Sequence, residues 1–133
     1  MLGGALLLAG AVGPAGAADD LTIADFEQDD YGAWTTTGVA FGSGPARGGF
    51  KNQMRVSGYE GRGLVNSYLG GDGPTGTLTS PPFEIERNAM HFLVGGGKYP
   101  GETCMNLLVG PSPSGDFDAT RGEVVRTATG PND

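Results

Sequence analysis

The sequence predicts an all-β protein, an antiparallel β-sandwich of jelly-roll type whose C-terminal end is incomplete. Three observations predict it. The 26 Gly and 9 Pro of the 133 residues fall between short apolar or β-branched runs such as GLVNSYL, GTLTS, MHFLVGG and TCMNLLV, the punctuation of turns between strands. Several of those runs alternate side chains with the two-residue period of a strand. The stretch from Gly42 to Gly63 is too broken by glycine to sustain a helix, and no helix is expected beyond the first eighteen residues. About eight strands at a spacing of about ten residues fit a sandwich or jelly roll, and a chain of this length has room for one domain, burying about two-thirds of its unfolded surface.

In chain order, the first strand is expected over 21–26, where Leu21, Ile23 and Asp25 alternate with Thr22, Ala24 and Phe26. The second runs through Trp34–Thr37 and Val39–Phe41, split by Gly38, and Gly42 to Gly63 reads as loop. Gly63–Leu69 and Gly76–Ser80 are expected to be neighbouring strands joined by Gly70-Gly71-Asp72-Gly73-Pro74, whose glycines supply positive φ and whose proline fixes the turn. Phe83–Ile85 follows Pro81-Pro82. Ala89–Val94 is expected to be the central strand, with Met90, Phe92 and Val94 on one face and Ala89, His91 and Leu93 on the other. Thr103–Val109 is its expected core partner across two stacked layers. Glu123–Thr129 supplies the last strand.

Two further boundaries are legible. Residues 1–18 (MLGGALLLAGAVGPAGAA) are apolar, uncharged and end in small residues, the composition of an export signal; the missing basic start points to a truncated leader or an internal start codon. The module then occupies 19–133, with a Gly, Pro, Ser and Asp-rich loop insertion at 110–122. The leader is too short and glycine-rich for a membrane span, and a secreted, periplasmic or cell-envelope location in a bacterium is expected. A net charge of −7 opposes nucleic acid and anionic bilayers alike. The lone Cys104 forms no internal disulfide and reads as a buried strand thiol.

The chemistry-bearing residues point to binding more than to catalysis. Asp25, Glu27 and Asp29 share one face of an extended segment at about 7 Å intervals, too far apart for a retaining carboxylate pair. They read as a solvated edge, with a Ca²⁺ site as the alternative; no other cofactor is expected. His91 has no nucleophile partner, and the glycine runs open no helix that would hold a phosphate. Sugar recognition needs aromatic faces and a few fixed hydrogen-bonding groups. Tyr31, Trp34 and Tyr59 offer rings, and Asn66, Asp72, His91, Asn106 and Arg126 offer polar groups. Core packing is the competing reading for Trp34, and a satisfied sheet position for His91.

Six blocks in fixed order carry a likeness: DFEQDDYGAW (25–34), GVAFGSGPARG (38–48), VSGYEGRGLVNSYLGGD (56–72), TGTLTSPPFEIER (75–87), FLVGGGKYPGET (92–103) and VVRTATGPND (124–133). Together they resemble the β-sandwich module that accompanies glycoside hydrolase family 32 proteins, the levanase, inulinase and invertase group. In that group a short turn stands where this chain carries 110–122, and the module continues past GPND through further strands. The family's catalytic carboxylates lie in a separate propeller within Asn-Asp-Pro, Arg-Asp-Pro and Glu-Cys motifs, and none of the three occurs here. The resemblance implies a non-catalytic, carbohydrate-associated module of a secreted hydrolase acting on fructan or sucrose, with a polysaccharide or oligosaccharide and the parent's catalytic domain as partners. Two alternatives stay open: a structural or adhesive envelope module that binds no glycan, and the N-terminal piece of a family 32 glycosidase whose propeller lies downstream.

Overall fold

A computed structural model describes residues 18–110 and 122–131; the leader and nearly all of the 110–122 insertion lie outside them. The fold is all-β, with no helix among the described residues. Among the described residues four strands are present: β1 (Thr35–Gly38), β2 (Gly76–Thr79), β3 (Met105–Val109) and β4 (Glu123–Ala128). They form two antiparallel ribbons, β1 with β2 and β3 with β4.

The first ribbon follows from its residue types. Thr35, Thr36 and Thr37 are β-branched and favour the extended backbone, and Thr37 faces Thr77 across the ladder with their hydroxyls 2.7 Å apart. Gly38 ends β1 at φ +66°, and a side chain there would collide with the Thr75 carbonyl. That carbonyl instead accepts from Val39 N at 3.0 Å and Ala40 N at 3.4 Å. The chain therefore bends at 39–41 and does not run on as the expected second half of the strand.

In the second ribbon Asn106 pairs with Thr127 and Leu107 with Arg126, and an irregularity between Leu107 and Leu108 shifts the register. β3 and β4 lie within two residues of the segments expected at 103–109 and 123–129. Cys104, just ahead of β3, is only half-buried, so the expected buried thiol is corrected.

The core sits in the first half of the molecule. Tyr31, Ala40, Ala46 and Asn66 are buried, and Phe26 packs edge-on against Tyr31 at 6.3 Å and Trp34 at 5.2 Å. Ala46 and Leu64 exchange both backbone hydrogen bonds, at 2.9 and 3.0 Å, as an isolated antiparallel bridge.

Four expected strands are corrected. Residues 89–94 are irregular, have no ladder partner and lie open to solvent, Leu93 being 65% exposed. β3 pairs with β4 instead, so 89–94 is not the central strand. Residues 63–69 shrink to the single bridge at Leu64, and β2 takes β1 as its neighbour. There Asn66 Oδ1 accepts from Tyr68 N at 3.0 Å, a local bond that draws the backbone away from a ladder. Residues 83–85 follow two prolines, which have no N–H to donate, and are exposed. Residues 21–26 stay irregular and end at Phe26 with φ 56°. Ile85 is 60% exposed and Val124 48%, so the second half presents apolar side chains to solvent.

Candidate functional site

The most tightly organised polar region is the crossing of the 26–30 turn with the 59–64 loop. Phe26 adopts the left-handed conformation, which costs a residue with a side chain about 1–2 kcal/mol and is held by the packing of its ring on Tyr31 and Trp34. The turn sends the next side chain, Glu27, across to the opposite loop. Glu27 Oε1 accepts from Arg62 N at 2.7 Å and Gly63 N at 2.9 Å, and Oε2 accepts from Arg62 Nε at 3.2 Å. These bonds, Gly63 N–H first, then Arg62 N–H and its guanidinium, hold the Glu27 carboxyl below the usual glutamate range against a smaller opposing effect of desolvation.

Glycine is required where the two loops touch. A side chain at Gly61 would strike the Glu27 carboxylate, and one at Gly63 would strike the Phe26 carbonyl. From the other side, Arg47 Nη2 donates to Glu27 O at 3.1 Å, Gln28 O at 2.9 Å and Asp29 Oδ1 at 3.1 Å. One guanidinium nitrogen thus pins three consecutive residues. Asp29, Arg47, Tyr59, Gly61 and Arg62 line an open depression of about 570 Å³ beside this crossing.

Of the residues expected to bind, Tyr59 lines the depression, and so does Asp29, expected as a metal ligand. Tyr31 is buried and donates its hydroxyl to Phe41 O at 3.1 Å; burial pushes its phenol pKa up. Trp34 packs on Phe26 and is half-buried. Asn66 is committed to the core. It exchanges amide hydrogen bonds with Gln53, Nδ2 to Oε1 at 2.9 Å and Nε2 to Oδ1 at 3.0 Å, and Nδ2 also reaches Gly48 O at 3.4 Å. Gln53 Oε1 in turn accepts from Phe50 N at 2.9 Å.

The remaining candidates lie elsewhere. Asp72 and His91 are exposed on irregular segments. Asn106 Oδ1 accepts from Thr127 Oγ1 at 2.8 Å, and Arg126 opposes Leu107 one position along the ladder, so the two project from opposite faces of the ribbon. The acids do not converge either. Asp25 Oδ1 accepts from Glu27 N at 3.1 Å, Glu27 faces Arg62, and Asp29 faces Arg47. Among the described residues no three acidic, His or Cys side chains gather as a metal site. Arg47 and Arg62 were not singled out from sequence. Their signal lies in the repeated Arg-Gly pairs at 47–48 and 62–63, set in glycine loops of a chain where 15 acids face 8 bases.

The arrangement suits holding a ligand more than transferring a proton. A general acid of a glycosidase needs a raised pKa, and Glu27 is displaced the other way with both oxygens engaged. No family model matches the chain, and no solved structure matches it. One relative does. The protein ecdE of Aspergillus rugulosus, which carries the name of a glycosyl hydrolase, is 38% identical over 118 residues, 86% of this chain. The chain spans 15% of the length of that relative. Its kinship is thus with a glycosyl hydrolase-named protein, across most of its own length.

Proposed function

We propose that this chain is a non-catalytic, carbohydrate-associated module of a larger secreted glycoside hydrolase of the family 32 kind, acting on fructan or sucrose. The observation that carries the reading is the 38% identity over 86% of the chain to a protein almost seven-eighths of which lies outside the match. A segment that forms so small a share of a glycosyl hydrolase-named relative is most simply a part that serves a catalytic region elsewhere. The six sequence blocks named above support the family assignment, and the leader composition supports export to the cell surface or beyond. The apolar side chains exposed on 83–94 and β4 support completion of the two ribbons into a sandwich by further strands of the longer protein. The partly buried Tyr59 favours glycan contact over a purely structural envelope role, because its ring stays on an open, polar-lined surface.

Affinity electrophoresis of the chain through gels containing levan, inulin and a wider glycan panel tests this, with reducing-sugar release measured in parallel. Retardation without hydrolysis is expected. Migration unchanged in every gel, or hydrolysis by the chain itself, would refute the reading.

A further inference from the structure

We infer that the depression lined by Asp29, Arg47, Tyr59 and Arg62 is a subsite for one neutral, polyhydroxylated ring of a glycan. This rests on the carbohydrate reading above and deepens it by assigning the place and the charge class of the ligand.

The lining is mixed in the way a diol requires. A sugar hydroxyl both donates and accepts, so a wall of donors alone or acceptors alone satisfies it only in part. Here both kinds are present. Among the described residues, both terminal nitrogens of Arg62 and Nη1 of Arg47 have no hydrogen-bond acceptor, and Asp29 Oδ2 has no donor. Tyr59 adds an aromatic surface of the kind that covers the apolar side of a ring.

Charge decides against an anionic sugar. Arg47 and Arg62 are matched by Asp29 and Glu27, each in an ion pair, so the depression itself is balanced. The surrounding chain carries −7 and repels anions at longer range. A carboxylated ring would bring a further negative charge beside Asp29 and Glu27, whereas a neutral ring leaves both pairs balanced.

The cationic groups are also held in place before any ligand arrives. Glu27 grips Arg62 through the backbone and Nε, and Arg47 is fixed to three oxygens of the facing turn. Binding therefore orders few side chains, which lowers the entropic cost of association. The second depression, of about 380 Å³ and lined by Phe50, Lys51, Asn52, Tyr68 and Leu69, has no such pinned polar pair.

The test is isothermal titration of the full 133-residue chain with oligosaccharides of levan and inulin, neutral glucan and xylan oligosaccharides, and oligogalacturonate. Asp29→Asn and Arg62→Gln are titrated beside the parent chain and an Arg55→Gln control, with circular dichroism confirming that each retains its fold. Asp29 is fully exposed and Arg62 80% exposed, so Asp29→Asn in particular leaves the packing untouched. A neutral oligosaccharide is expected to bind, with about tenfold weaker binding for each site variant, the size of one lost charge-assisted hydrogen bond, and none for the control. Binding that both site variants retain at full strength overturns the subsite while the carbohydrate reading stands. Preference for oligogalacturonate overturns the neutral-ligand assignment. Failure of the parent chain to bind any glycan overturns the subsite together with the reading beneath it.

Discussion

Residues 26–79 and the described residues of 81–131 each hold one two-stranded ribbon, yet the two regions are built by different means. The first region is knitted by polar side chains that reach across the sequence: Glu27 to 62–63, Arg47 to 27–29, Asn66 to Gln53. The second carries more of the long apolar runs but leaves them exposed around a single ribbon. Apolar content is thus not what orders a short glycine-rich chain. An apolar run stabilises only when something covers it, whereas a carboxylate that satisfies two backbone N–H groups fixes a turn on its own account.

The contrast gives graded expectations. The largest is for Gly63→Ala, which drives a methyl group into the Phe26 carbonyl. It is expected to destabilise the first region by about 3 kcal/mol or more, read by urea unfolding followed through Trp34 fluorescence. Little change would show that the crossing of the two loops is not the organising contact. Asn66→Leu comes next. It removes one half of the amide exchange and leaves the Gln53 amide short of partners, at a cost of about 2 kcal/mol in the same assay.

Glu27→Gln sharpens the comparison through pH. The folded carboxyl lies below the ordinary value of 4.5, so the stability it confers is full above pH 4.5 and drains away as pH falls through the lower folded value. The gap in melting temperature between parent and variant is therefore expected at neutral pH and should close in acid; a gap that persists at low pH would mean the charge is not its source. The smallest effect belongs to the second region. Leu93→Ser is expected to shift stability by less than about 0.5 kcal/mol while reducing the binding of an apolar dye. A large loss would reveal cover over 89–94.

How much of this was legible in the sequence follows the same division. The four strands were visible within a residue or two, because Thr35–Thr37, Gly76–Thr79, the MNLLV run and Glu123–Ala128 combine β-branched or apolar residues with turn signals on their flanks. The strands assigned to 21–26, 63–69, 83–85 and 89–94 were not there, since alternation reports which face a side chain takes and says nothing about whether the backbone finds a partner. The site was half legible. Tyr59 and Asp29 were named from their chemistry, and the acidic run from its density. Arg47 and Arg62 escaped because a charged residue inside a glycine loop looks solvated until the opposing turn is placed against it. Asn66 misled for a related reason: its hydrogen-bonding capacity is spent inward, on Gln53, Gly48 and Tyr68.

The single guanidinium nitrogen of Arg47 that serves three consecutive residues has a consequence for protein engineering. The acidic turn cannot be transplanted into another scaffold as a contiguous peptide, because its shape is written by a side chain some twenty positions away. A graft would have to carry both pieces.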